Sequence, residues 1–195
     1  MSVDLTGRRT PDLAVPSTSG GRSSRWRERR RRARRDVLSA RLAELHGIRA
    51  LLTRAETLVS IGWVQHGWFT VADELGRTRR VDALNLDDLN GRPVSGACLV
   101  GALVHEAGGP LTVHSQLVQR TLDLTWHALY EDERRPVRWC PGPEVRGAHL
   151  RDLTRWNDSP GRTAEQVSGL LRSAVRVADV QTDLVQRQAS ALVLG

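Results

Sequence analysis

Arg155-Trp156-Asn157-Asp158-Ser159-Pro160-Gly161-Arg162-Thr163 runs straight into Ala164-Glu165-Gln166-Val167. Ser159 to Arg162 suits a type II turn, because Pro presets φ at its second position and Gly supplies positive φ at its third. Asn157 and Asp158 are short polar residues able to bond backbone amides leading into that turn. Thr163 and Gln166 stand three apart, the spacing of a capping box. After the box, Val167, Leu170, Leu171, Ala174, Val175 and Ala178 recur at helical steps and form one apolar face. The tract therefore marks the start of a long amphipathic helix, with Trp156 as its expected core anchor. Val180, Leu184 and Val185 extend that helix or form an interaction surface.

The same period appears upstream. Leu38, Leu42, Leu45, Leu52, Ala55, Leu58 and Val59 define a first helix from Asp36, with Gly47 as a candidate break and Gly62 as its stop. Trp63 to Val71 reads as extended chain, and Asp73-Glu74-Leu75-Gly76 turns it into a short hairpin returning near Val81. Asn85 to Pro93 is a polar loop. Ser95 is the expected cap of a helix over 96–107, where Ala97, Gly101 and Ala102 let another element approach closely. Leu111 to Tyr130 has helical spacing, Arg134 to Gly147 is a proline-bearing loop, and a short helix carries Leu150, Leu153 and Trp156. The fold class is mainly α: a small domain of four to five helices with a short β-hairpin after the first. The first and last helices are expected to pack together with the Cys98 helix between them.

Charge divides the chain. It has no Lys, and its 29 basic residues are all Arg, with a net charge of +7. Residues 1–35 hold eleven Arg against Asp4, Asp12 and Glu28, a net of +8, while the remaining 18 Arg meet 19 acids, a net of −1. Residues 1–35 read as a disordered Arg-rich arm and 36–195 as a single helical domain. Within the arm, Arg25-Trp26-Arg27-Glu28-Arg29-Arg30-Arg31-Arg32-Ala33-Arg34-Arg35 reads as a fraying, solvated extension of the first helix. Such a run attracts phosphates, with Trp26 available to stack on a base, so nucleic acid is its expected partner. The run lacks the apolar face that a membrane surface needs. No segment reads as a signal peptide or a span, so a reduced cytoplasm with free Cys98 and Cys140 is expected.

Trp63 followed by Gly67, then Cys98-Leu99-Val100-Gly101-Ala102-Leu103, then Trp156-Asn157-Asp158 with Gly161-Arg162-Thr163, resembles the actinobacterial and phage family of domains of unknown function numbered 6197. The resemblance spans about residues 48–178. The chain departs from the family's pattern in the Asn85–Pro93 loop and the Arg134–Gly147 insert. The family implies a bacterial or phage protein and carries no established activity or catalytic residue.

Site candidates follow from residue chemistry. Asn157 and Asp158, with Arg162 as an anion contact and Trp63 and Trp68 as ring surfaces, are candidate binding residues; capping and turn chemistry explains the same tract structurally. Cys98 is the candidate nucleophile: three residues after a Ser95 cap, the helix dipole favours its thiolate. Its Ala, Leu and Val neighbours argue instead for a buried structural cysteine. The six His show no metal-ligand spacing, and no cofactor motif is present. Three readings remain in the sequence. They are a non-catalytic binding or accessory module with a nucleic-acid arm, an interaction domain with a surface of Trp63, Trp68 and Trp156 for a protein or small ligand, and a Cys98-dependent enzyme.

Overall fold

The computed structural model describes residues 19–73, 75–82, 89, 91–139 and 142–194. Most of the expected Asn85–Pro93 loop and Cys140 therefore lie outside the described residues. The elements in order are α1 (Ser19–Ile61), β1 (Phe69–Ala72), β2 (Thr78–Val81), β3 (Val94–Ala97), α2 (Leu99–Glu106), α3 (Gln116–Tyr130), α4 (Pro143–Asn157) and α5 (Ala164–Leu194), with a 3-10 turn at Pro110–His114 before α3. The molecule is a mainly α domain with one small antiparallel sheet.

Helix α1 takes in the Arg run, and every side chain from Arg25 to Val37 is exposed. It passes through Gly47 without a break. Gly47 faces α3, where an added Cβ would stand 3.5 Å from Leu117, and the helix continues through it despite glycine's poor helix propensity. From Leu45 onward the inner face is buried: Ile48, Leu51, Leu52, Ala55 and Val59 are fully enclosed. Helix α5 lies antiparallel against α1, with Arg49 bonded to Asp179 and Arg172 to Glu56. Its Val167, Leu170, Leu171, Ala174 and Ala178 are buried as the period predicts. Val177 joins them, and Val175 is half-buried at the edge of the face. Each such Leu or Val contributes about 1.5–3 kcal/mol on leaving water. The expected placement of the Cys98 helix needs correction. Helix α2 packs on α1, α3 and α4, while α1 and α5 touch each other directly.

The hairpin forms where expected but is shorter, and it has a third strand. The sheet order is β2-β1-β3, with Phe69 opposite both Val81 and Ala97. Asp73 clasps the β1–β2 turn, accepting from the Leu75 and Arg77 amides and from the Arg77 guanidinium. Ser95 is therefore not a helix cap but a residue of β3, and its hydroxyl donates to the Thr70 carbonyl. A short run of small apolar residues fits strand or helix equally, and pairing with β1 decides it. The α1–β1 connection also approaches β3 closely: a Cβ on Gly62 would stand 2.3 Å from the Ser95 carbonyl oxygen, and one on Gly96 2.6 Å from the Gly62 carbonyl oxygen. The Arg134–Gly147 loop is also shorter than its prolines suggest. Pro143 opens α4, a first-turn position where its missing N–H costs nothing.

Candidate functional site

Asn157, the last residue of α4, is 1% exposed and uses its whole carboxamide. Its Oδ1 accepts from Trp63 Nε1 at 2.9 Å and from the Leu99 amide at 3.1 Å. Its Nδ2 donates to the Val64 carbonyl at 3.1 Å and to Asp158 Oδ1 at 2.8 Å. An amide side chain has two acceptor and two donor positions, and all four are filled within the chain. Gln65 adds bonds to the carbonyls of Asn157 and Ser159. Asp158 holds the amide of His66, whose φ of 57° places a non-glycine residue in the left-handed region. One polar hub thus ties the α1–β1 connection, the start of α2 and the end of α4 together.

The turn beyond the hub takes the expected form. Gly161 has φ 76°, and the Arg162 amide donates to the Ser159 carbonyl. Thr163 and Gln166 make the reciprocal pair of capping bonds at 3.1 and 3.2 Å. Arg162 lies with its guanidinium 3.9 Å from the Trp156 ring centre and donates to the Trp156 carbonyl. Trp156 is half-buried against the core rather than sunk in it. An open cavity beside the hub is lined by Trp63, Gln65, Thr70, Thr78 and Arg80, without Trp68 or Trp156. Trp68 instead turns its backbone to α2: its carbonyl accepts from the Cys98 amide, and a Cβ on Gly101 would stand 2.2 Å from that oxygen.

Cys98 is the N-cap of α2 itself, not its third residue. Its Sγ accepts from the Gly101 amide at 3.2 Å. The side chain is buried, and burial pushes the thiol up to about 12 despite the backbone amides facing it. Its position is that of a helix cap, in surroundings that disfavour the thiolate.

A second polar cluster, absent from the sequence reading, lies between α3 and α4. His149 Nδ1 meets Asp123 Oδ1 at 3.2 Å, and both side chains are buried. Trp126 stacks on His149 at 4.2 Å between ring centres, with the planes 9° apart, and its Nε1 donates to Asp152 Oδ2. His127, one residue on, is 4% exposed. Burial holds its imidazole below the usual value, against a backbone bond to Asp132 and the nearby Glu131 and Asp132 carboxylates. A helical period of i, i+3, i+4 on α3 would have found Asp123, Trp126 and His127 as one polar stripe. Their partners on α4 come 23 or more residues later and have no local signal. No group of three metal-ligating side chains occurs among the described residues, and no described helix is long and apolar enough to cross a membrane.

The profile of a family of unknown function, DUF6197, matches residues 43–177, from α1 to the middle of α5. The chain belongs to the DUF6197 family. The match covers the hub, α2 and the α3–α4 cluster, and leaves the Arg run outside the DUF6197 region. Neither a curated protein nor a solved structure matches the chain.

Proposed function

We propose that this DUF6197 protein is a non-catalytic binding or accessory module that contacts nucleic acid through the Arg run of α1. The observation that carries this reading is the exposed, helical Arg25–Arg35 segment on a body whose own charge is −1. Eleven helical residues span about 16 Å. Arg25, Arg29 and Arg32 recur at i, i+4 and i+7 on one side, with Arg35 beside them. The Trp26 ring is 55% exposed, and Arg30 stands 4.5 Å above it. Guanidinium groups engage phosphates, and the flat indole offers a base-stacking surface. Contacts of this kind position a protein on a backbone without reading its sequence.

The test is a mobility shift with single- and double-stranded oligonucleotides of unrelated sequence. With about four phosphates neutralised, affinity should fall roughly 10²-fold between 50 and 200 mM salt, alike for every sequence. A full-length variant with Arg29, Arg30, Arg31 and Arg32 changed to Ser should lose the shift. Equal binding by that variant at 50 mM salt would sink the proposal.

A further inference from the structure

The end of α3 and the loop after it enclose a cavity of about 240 Å³. Its walls are Trp126, Pro136 and Val137 with His127 beside them, and its charged lining is Arg135, Arg138 and Glu131, the carboxylate of Glu131 being the one paired with Arg135. Two features distinguish this cavity from a packing gap. First, His127 Nε2 is buried without a partner. With the imidazole proton on Nδ1, Nε2 carries a lone pair and accepts a hydrogen bond. A buried acceptor left empty is unfavourable, and a ligand's N–H would satisfy it. Second, Trp126 is fixed before any ligand arrives. Asp152 holds its nitrogen, His149 covers the ring at stacking distance, and Tyr130 leans on it at 5.0 Å.

We propose that this cavity is a nucleotide-binding site: the base lies against Trp126 with an N–H directed to His127 Nε2, and the phosphate meets Arg138 at the mouth. The volume suits one flat ring system and is below the usual range for larger ligands. Apolar walls at Pro136 and Val137 suit the faces of a ring. Arg135 is already engaged with Glu131 at 3.4 Å, which leaves Arg138 as the main anion contact. The loop continues to Trp139, whose ring has Arg41 of α1 at 5.0 Å and Arg120 of α3 at 4.9 Å.

Calorimetric titration of the full chain with AMP, GMP, CMP and UMP at low salt tests the site, with a thermal melt of each variant as the folding control. Saturable binding of at least one monophosphate is expected. His127→Leu and the exposed Arg138→Glu should each weaken it about tenfold, whereas His127→Gln, which keeps an acceptor, should stay within about threefold. The variant with Ser at positions 29–32 should bind the monophosphate unchanged while losing the oligonucleotide shift, so the cavity and the arm fail separately. If the monophosphates give no heat, the same variants are titrated with a short single strand. A tenfold loss for His127→Leu and Arg138→Glu there supports a strand-borne nucleotide. No binding by either ligand, or binding indifferent to both changes, overturns the proposal.

Discussion

Asn157 joins three segments of the fold through four side-chain hydrogen bonds. Removing its carboxamide in Asn157→Ala would strand the Trp63 indole N–H, the Leu99 amide and the Val64 carbonyl in a buried place. The expected loss is about 3 kcal/mol in denaturant unfolding, since each unsatisfied buried group costs roughly 1–3 kcal/mol. Asn157→Asp keeps the two accepted bonds but sets a carboxylate oxygen against Val64 and Asp158. Burial against Asp158 raises the new acid's folded pKa, so its destabilisation should shrink as the pH falls from 7 towards about 4 and the acid regains a donor. A similar loss for Asp at pH 7 and pH 4 would contradict this account of the hub. In the sequence, Asn157 and Asp158 were legible as residues needing a reason, and Asx chemistry supplied the right type of reason. Their partners, 58 to 94 positions away, were not legible, because a hydrogen bond across the fold leaves no local pattern. Cys98 shows the same limit: its identity suggested a nucleophile, and only its burial reveals a cap.

Among the elements, α5 follows most directly from local sequence. Both halves of its capping box form, so Thr163→Ala should cost about 1 kcal/mol by thermal or urea unfolding. Its apolar period matches its buried face except at Val175, which is half-buried, and Val177, which is buried outside the period, because a helix against a single core exposes only one stripe to packing. Helix α2 behaves differently. Gly101 permits the Trp68 carbonyl to approach the helix, and Gly101→Ala should destabilise by about 1–3 kcal/mol through overpacking, despite alanine's better helix propensity. An unchanged melting temperature would show that β1 can retreat from α2 at no cost. Strand β3 was missed because four small residues carry no period, and Phe69 and Thr70 across the ladder supply its identity. The length of α4 was missed because proline reads first as a loop former, although at position 143 it starts a helix.

At the scale of the whole molecule, two buried groups tie stability to pH from opposite sides. Cys98 is raised from 9.0 to about 12, so its contribution is fully present below pH 9 and is lost as pH rises through the folded value. Cys98→Ala should remove that share of the alkaline decline in urea stability. In a Cys140→Ser background the native thiol should resist iodoacetamide at pH 8 and react once urea unfolds the chain. His127 is depressed, so its contribution is present above its ordinary 6.5 and is lost as pH falls through the lower folded value. His127→Gln should flatten the acid side only. Sequence alone determined the helical class, the α1 and α5 faces, the Pro-Gly turn with its cap, and the separation of a basic arm from a neutral body. These depend on neighbours within a few residues or on composition. Tertiary structure alone decided that Asn157 is a hub, that Cys98 is a buried cap, that β3 is a strand, and that His127 and Trp126 share a cavity backed by Asp123 and His149. Each of those rests on burial and on contacts between residues far apart in the chain, which folding brings together and local spacing does not encode.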